Sequence, residues 1–203
     1  MKKIIKIFSL LFLITITFTG CKSSDESDAH KIAQEFGINL YTVDTQKVND
    51  YKQVVLFSEK ENVKDLIGPD GTIKAKKETQ EKYIQMMQSL DKDIQPLMTE
   101  KGHEYIIGNR HNTLSAEVCA KGNYTLQVTD IILEKNLYGE KEDKAGYYYE
   151  AKLKFNSADG KDARTDTAKG YIGLIKENGQ WKVSIYQSKE YPKLYKEVLP
   201  NKL

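Results

Sequence analysis

Three histidines, two cysteines, thirteen tyrosines and a single tryptophan are the residues of this 203-residue chain best suited to chemistry or ligand contact. His103 and His111 flank an expected turn, but two histidines eight positions apart lack the further convergent ligands that a metal ion needs. His30 falls in the first turn of an expected helix and reads as solvated. Tyr124 or Tyr149 with Asp130 would make a proton-transfer pair, although strand propensity already accounts for so many tyrosines. Cys119 has no histidine or cationic setting to activate it and reads as a buried, inert thiol on a strand. Trp181 alternates with Val183 and Ile185, as a core anchor does, and a ligand-stacking role is the alternative. There is no Gly-x-Ser-x-Gly, no His-Glu-x-x-His and no glycine-rich phosphate loop. No catalytic residue, cofactor or metal is therefore expected. Tyr147, Tyr149 and Trp181 are the candidate ligand contacts.

Cys21 stands apart from these. It follows a lysine-bearing start (Lys2, Lys3, Lys6) and an apolar run of 12 residues, 7–18, broken only by Ser and Thr. That run is short for a membrane span and right for a secretory leader. It ends in Phe18-Thr19-Gly20-Cys21, which resembles the bacterial lipobox, where small residues precede a cysteine that takes a diacylglycerol and becomes the new N-terminus. The resemblance implies lipidation of Cys21, with acyl chains each contributing about 0.8 kcal/mol per buried methylene. The expected organisation is a signal peptide over 1–20, the lipidated cysteine with a polar tether over 21–28, and one domain over 29–203. With Cys21 acylated, Cys119 has no disulfide partner.

The formal charge of +2 includes the three leader lysines, so the remaining chain carries −1. That balance gives no electrostatic case for nucleic-acid binding. Composition is that of an ordinary globular domain, 39% hydrophobic and 30% charged.

The elements that must position these residues are legible as two periodicities. Ala29, Ile32, Ala33, Phe36, Leu40 and Val43 step by three and four, which predicts a helix with Gly37 inside it. Val48, Tyr51, Val54 and Val55 predict a second. Ser58 and Glu61 form a capping-box pattern ahead of Val63, Leu66 and Ile67, and Gly68-Pro69-Asp70-Gly71 ends that segment. Tyr83, Met87, Leu90, Ile94 and Leu97 predict the longest helix, over 76–101, laid on a sheet. From His103 onward the period becomes two. Short strands are expected at 104–107 and around Leu114, Ala116 and Val118. Longer ones are expected at 124–133, with a bulge near Thr129 and Asp130, at 147–155 and at 164–175. Asn178-Gly179 between apolar runs predicts a type I′ hairpin over 170–187. The tail from 189 holds Pro192 and Pro200 and room for one helical turn.

Helices followed by antiparallel strands argue an α+β fold: a curved antiparallel sheet with its N-terminal helices packed on one face. That order, ending in Asn178, Gly179, Trp181, Lys182 and Val183, resembles the NTF2-like (cystatin-superfamily) cone. The resemblance implies a cone with a pocket at its wide end, a fold that hosts both enzymes and binding proteins. Leader and domain together predict a lipid-anchored extracytoplasmic binding or scaffold protein at the cell membrane. Its partner would be an envelope protein, a peptide or a small apolar ligand. The alternative is a small-molecule enzyme with an acid/base site inside the cone.

Overall fold

The computed structural model describes residues 21–61, 76–136 and 141–200, with side chains from Glu26 onward. Residues 1–20, where a leader is expected, the segment 62–75 with its expected apolar positions and its Gly-Pro stop, residues 137–140 and the last three residues lie outside that description.

Helix α1 (Cys21–Tyr41) runs first through the polar positions 22–28 and then through the expected apolar stripe. Ala29, Ala33, Phe36 and Leu40 are all buried. Gly37 sits where the helix crosses the sheet, and a side chain there would run into Ile131. Its cost of about 1 kcal/mol in helix propensity is therefore the condition for close approach. Helix α2 (Thr45–Lys60) is capped by Asp44, whose carboxylate accepts from the backbone N–H of Lys47 at 2.7 Å. It buries Val48, Tyr51 and Val54.

The long helix expected over 76–101 is three pieces. Helix α3 (Lys77–Asp91) gives way to a 3-10 turn (Gln95–Leu97) and then to α4 (Glu100–Gly108). Pro96 removes a backbone donor, and Thr99 starts the chain afresh by capping the Gly102 N–H at 3.0 Å. Helix α3 lies on α2 and on α5 (His111–Gly122), not on the sheet.

The short strands expected at 104–107 and 114–119 are the helices α4 and α5. In α5 the residues Asn112, Thr113, Ser115, Ala116, Glu117, Val118 and Cys119 are all buried. With polar and apolar residues buried alike, this helix shows no clean polar face, so its helical period is lost from the sequence.

Strands β1 (Tyr124–Lys135), β2 (Lys144–Ser157), β3 (Ala163–Glu177) and β4 (Gln180–Glu190) follow in an antiparallel meander. The expected bulge lies between Val128 and Asp130. Asn178 (φ 51°) and Gly179 (φ 79°) form the β3–β4 turn between the paired Glu177 and Gln180, as a type I′ hairpin requires. A further bulge between Gly173 and Leu174 reverses the parity of β4. Trp181 and Val183 point inward, Ile185 is exposed, and Tyr186 takes the inward place. Helix α6 (Lys193–Val198) closes the chain.

The α+β arrangement with helices before an antiparallel sheet is thus present, but the curved NTF2-like cone is not. The sheet is open, four strands in sequence order, and neither closed nor strongly curved. Each strand pairs with its chain neighbours, and the edges are met by single bridges, Val43 to Leu126 on β1 and Met98 to Val183 on β4. The inner face is filled by the protein's own side chains, with α1 lying across it. Among the described residues the layer between sheet and α1 is packed core rather than a cone interior.

Candidate functional site

The residues expected to touch a ligand lie within that filled layer. Tyr147, Tyr149 and Trp181 are 2, 3 and 8% exposed. The alternation of β2 turned both tyrosines under α1, where Tyr147 meets the His30 ring edge-on at 5.6 Å. The Tyr149 hydroxyl joins those of Tyr41 and Tyr186. The Lys176 ammonium sits 5.4 Å from the centre of the Trp181 ring. Cys119 is buried as expected, though on α5, and burial pushes its thiol up to about 12. His111 packs edge-on against Tyr186 at 5.0 Å, and burial lowers its pKa. Asp130 is a surface residue paired with Lys152 at 3.0 Å, while the Tyr149 hydroxyl is paired with those of Tyr41 and Tyr186.

Among the described residues, a feature with room for a ligand lies among the helices instead. A groove of about 1060 Å³ opens between α2, α3, α4 and α5. That is about the upper size of small-molecule sites. Val54, Val55, Tyr83 and Met87 give it apolar walls. Its polar residues are brought in by the break after α3. Asp91, the last residue of α3, is 2% exposed, and its Oδ2 lies 2.8 Å from His103 Nε2 on α4. Asn112 on α5 donates to the same Oδ2 at 3.4 Å. With Nε2 donating to a carboxylate, the His103 ring is fixed in tautomer and orientation.

A second polar cluster stands beside it. Arg110 links α4 to α5 in the left-handed region (φ 59°), sparsely used by residues other than glycine. Its guanidinium reaches Glu117 at 3.1 Å, and Lys121 reaches the other carboxylate oxygen at 2.8 Å. Glu117 is itself buried, and the neighbouring carboxylate together with burial pushes Tyr51 up to about 12, with burial the larger cause. Glu117 is therefore a neutralised, fully engaged anion. Asp91 has one oxygen left over: its Oδ1, and the Oδ1 of Asn112, are buried without a hydrogen-bond partner.

Sequence reading considered His103 together with His111, as a weak metal pair, and passed over Asp91. The signal for Asp91 was its place on the apolar side of α3, between Leu90 and Ile94 in the helical seam, where a carboxylate needs a partner. Among the described residues no group of three His, Cys, Asp or Glu side chains is placed to hold a metal ion. Nor is any helix there long and apolar enough to cross a membrane.

The chain matches no protein-family model and no curated protein. Among solved structures it is distantly and partially similar to two bacterial proteins. One is an IcmL-like type IV secretion system protein from Legionella pneumophila, at 13% identity and a TM-score of 0.37, over 70% of this chain and 91% of that one. The other is an NTF2-like superfamily protein from Salmonella enterica serovar Typhimurium, at 12% identity and a TM-score of 0.34, over 68% and 93%.

Proposed function

We propose that this chain is an extracytoplasmic binding protein, held on the bacterial cell membrane by lipid on Cys21, which takes a small ligand in the groove between α2, α3, α4 and α5. The observation that carries the reading is the groove itself: apolar walls, a floor of buried polar side chains, and a sheet interior already filled. Its address rests on the leader pattern that ends in Phe18-Thr19-Gly20-Cys21. An acylated N-terminus joined directly to α1 would keep the domain close to the bilayer surface.

The anchor is tested by expressing the full chain and its Cys21→Ala variant in a Gram-positive host with labelled palmitate. The unmodified chain should take label and sediment with membranes, and globomycin should make its precursor accumulate. Normal processing of Cys21→Ala would remove lipidation from the reading.

The Asp91–His103 pair supports a second reading, a small-molecule enzyme. A histidine oriented by a carboxylate at the floor of a groove has the geometry of a general base. Mass spectrometry of ligand recovered after incubation separates the two. A binding protein returns it unchanged, and an enzyme returns product that His103→Ala no longer makes.

A further inference from the structure

Two leftover acceptor atoms define what the groove can hold. Asp91 and Asn112 are 2 and 3% exposed, both line the groove, and the Oδ1 of each is unpartnered. Burying such atoms dry is unfavourable, most of all for a carboxylate oxygen. The amide of Asn112 cannot relieve the problem by flipping. Its nitrogen already faces Asp91 Oδ2 at 3.4 Å, and an oxygen there would repel the carboxylate. The lysines and arginine near the pair are engaged: Arg110 and Lys121 both hold Glu117, and Lys47, which feels the charge of Asp91, donates to the Asn39 and Thr42 carbonyls. Lys52, also on the rim, is an exposed side chain of α2. Both unpartnered atoms are acceptors, so the complementary group is a donor, and a cationic donor complements the carboxylate best. An ammonium has three N–H groups and no acceptor. The surfaces leading to it, Val54, Val55 and Met87, are apolar.

We propose that the floor of the groove binds a primary ammonium carried on a slim apolar stem, the ammonium donating to Asp91 and Asn112. This assignment rests on the groove being the ligand site. The same chemistry comes from a free alkylamine or from a lysine side chain.

The test titrates full-length protein in nanodiscs, with labelled Val and Met methyl groups, against hexylamine, Nα-acetyl-lysine amide, hexanol and hexanoate. At least one amine should move the Val54, Val55 and Met87 methyls at concentrations about tenfold below those hexanol or hexanoate require. The tighter of the two amines identifies the source. Asp91→Asn, which keeps shape and the His103 contact, should erase that margin and leave the hexanol titration unchanged. Where that variant does not fold, the His103 ring nitrogens of the unmodified protein decide the point. They should shift with hexylamine and stay still with hexanol. Equal affinity for all four probes at these methyls overturns the ammonium assignment while the groove survives as a site. Silence from every probe overturns the groove as well.

Discussion

The hydroxyls of Tyr41, Tyr149 and Tyr186 form a closed triangle under α1, with edges of 2.9, 2.9 and 3.0 Å. Each hydroxyl donates once and accepts once, so the ring leaves no donor over in a layer where the three residues are 2 to 3% exposed. Tyr41→Phe keeps the ring volume and breaks two edges. It should cost about 1–2 kcal/mol of unfolding free energy in urea titration. A variant as stable as the parent would show that the triangle contributes nothing net. Strand alternation turned Tyr149 inward on sequence grounds, but which of thirteen tyrosines meet was not legible. The Asp91–His103 pair was hidden for a related reason. In one unbroken helix, residues twelve apart lie about 18 Å apart along the axis. The chain turns back after Asp91, and that turn closes the gap to 2.8 Å.

Helix α4 is seated by its cap and first turn against the edge strand. The Thr99 N–H donates to the Val183 carbonyl at 3.0 Å, and a Cβ on Gly102 would meet that same carbonyl oxygen at 2.7 Å. Alanine at an exposed helix position gains about 1 kcal/mol over glycine. Here the contact is backbone, which cannot swing aside, so Gly102→Ala should destabilise by about 1–3 kcal/mol in the same denaturation assay. A stabilised variant would mean that α4 shifts freely on β4. The elements at the two ends of the chain read correctly because each has one wet face. α1 kept its stripe, and the hairpin kept both its alternation and its Asn178-Gly179 turn. The middle failed because α4 and α5 are short and α5 is wrapped by α2, α3, β1 and α6. Its alternating Leu114, Ala116 and Val118 reflect burial all round, and nothing local separates that from a strand.

Burial holds Tyr41, Tyr149, Tyr186 and Tyr195 well above the ordinary tyrosine value. Above about pH 10 the unfolded chain gives up these protons while the folded one keeps them. The folded state then binds more protons, so stability is intact below that pH and falls as pH rises through and beyond it. Each such residue adds a slope of about 1.4 kcal/mol per pH unit. Melting followed by circular dichroism should hold steady from pH 8 to 9 and drop steeply from pH 10 to 11. A flat profile to pH 11 would mean that these hydroxyls ionise inside the fold. The whole molecule also marks the limit of inference from sequence. Residue order alone determined the sequence of helices before antiparallel strands, the inward faces of β2 and the turn at Asn178, because each depends on neighbours within a few positions. The sheet's openness, the filling of its inner face and the groove with Asp91, His103 and Asn112 were decided by tertiary structure. They depend on where a broken helix turns back and what it packs against, and those contacts join residues that no local period connects.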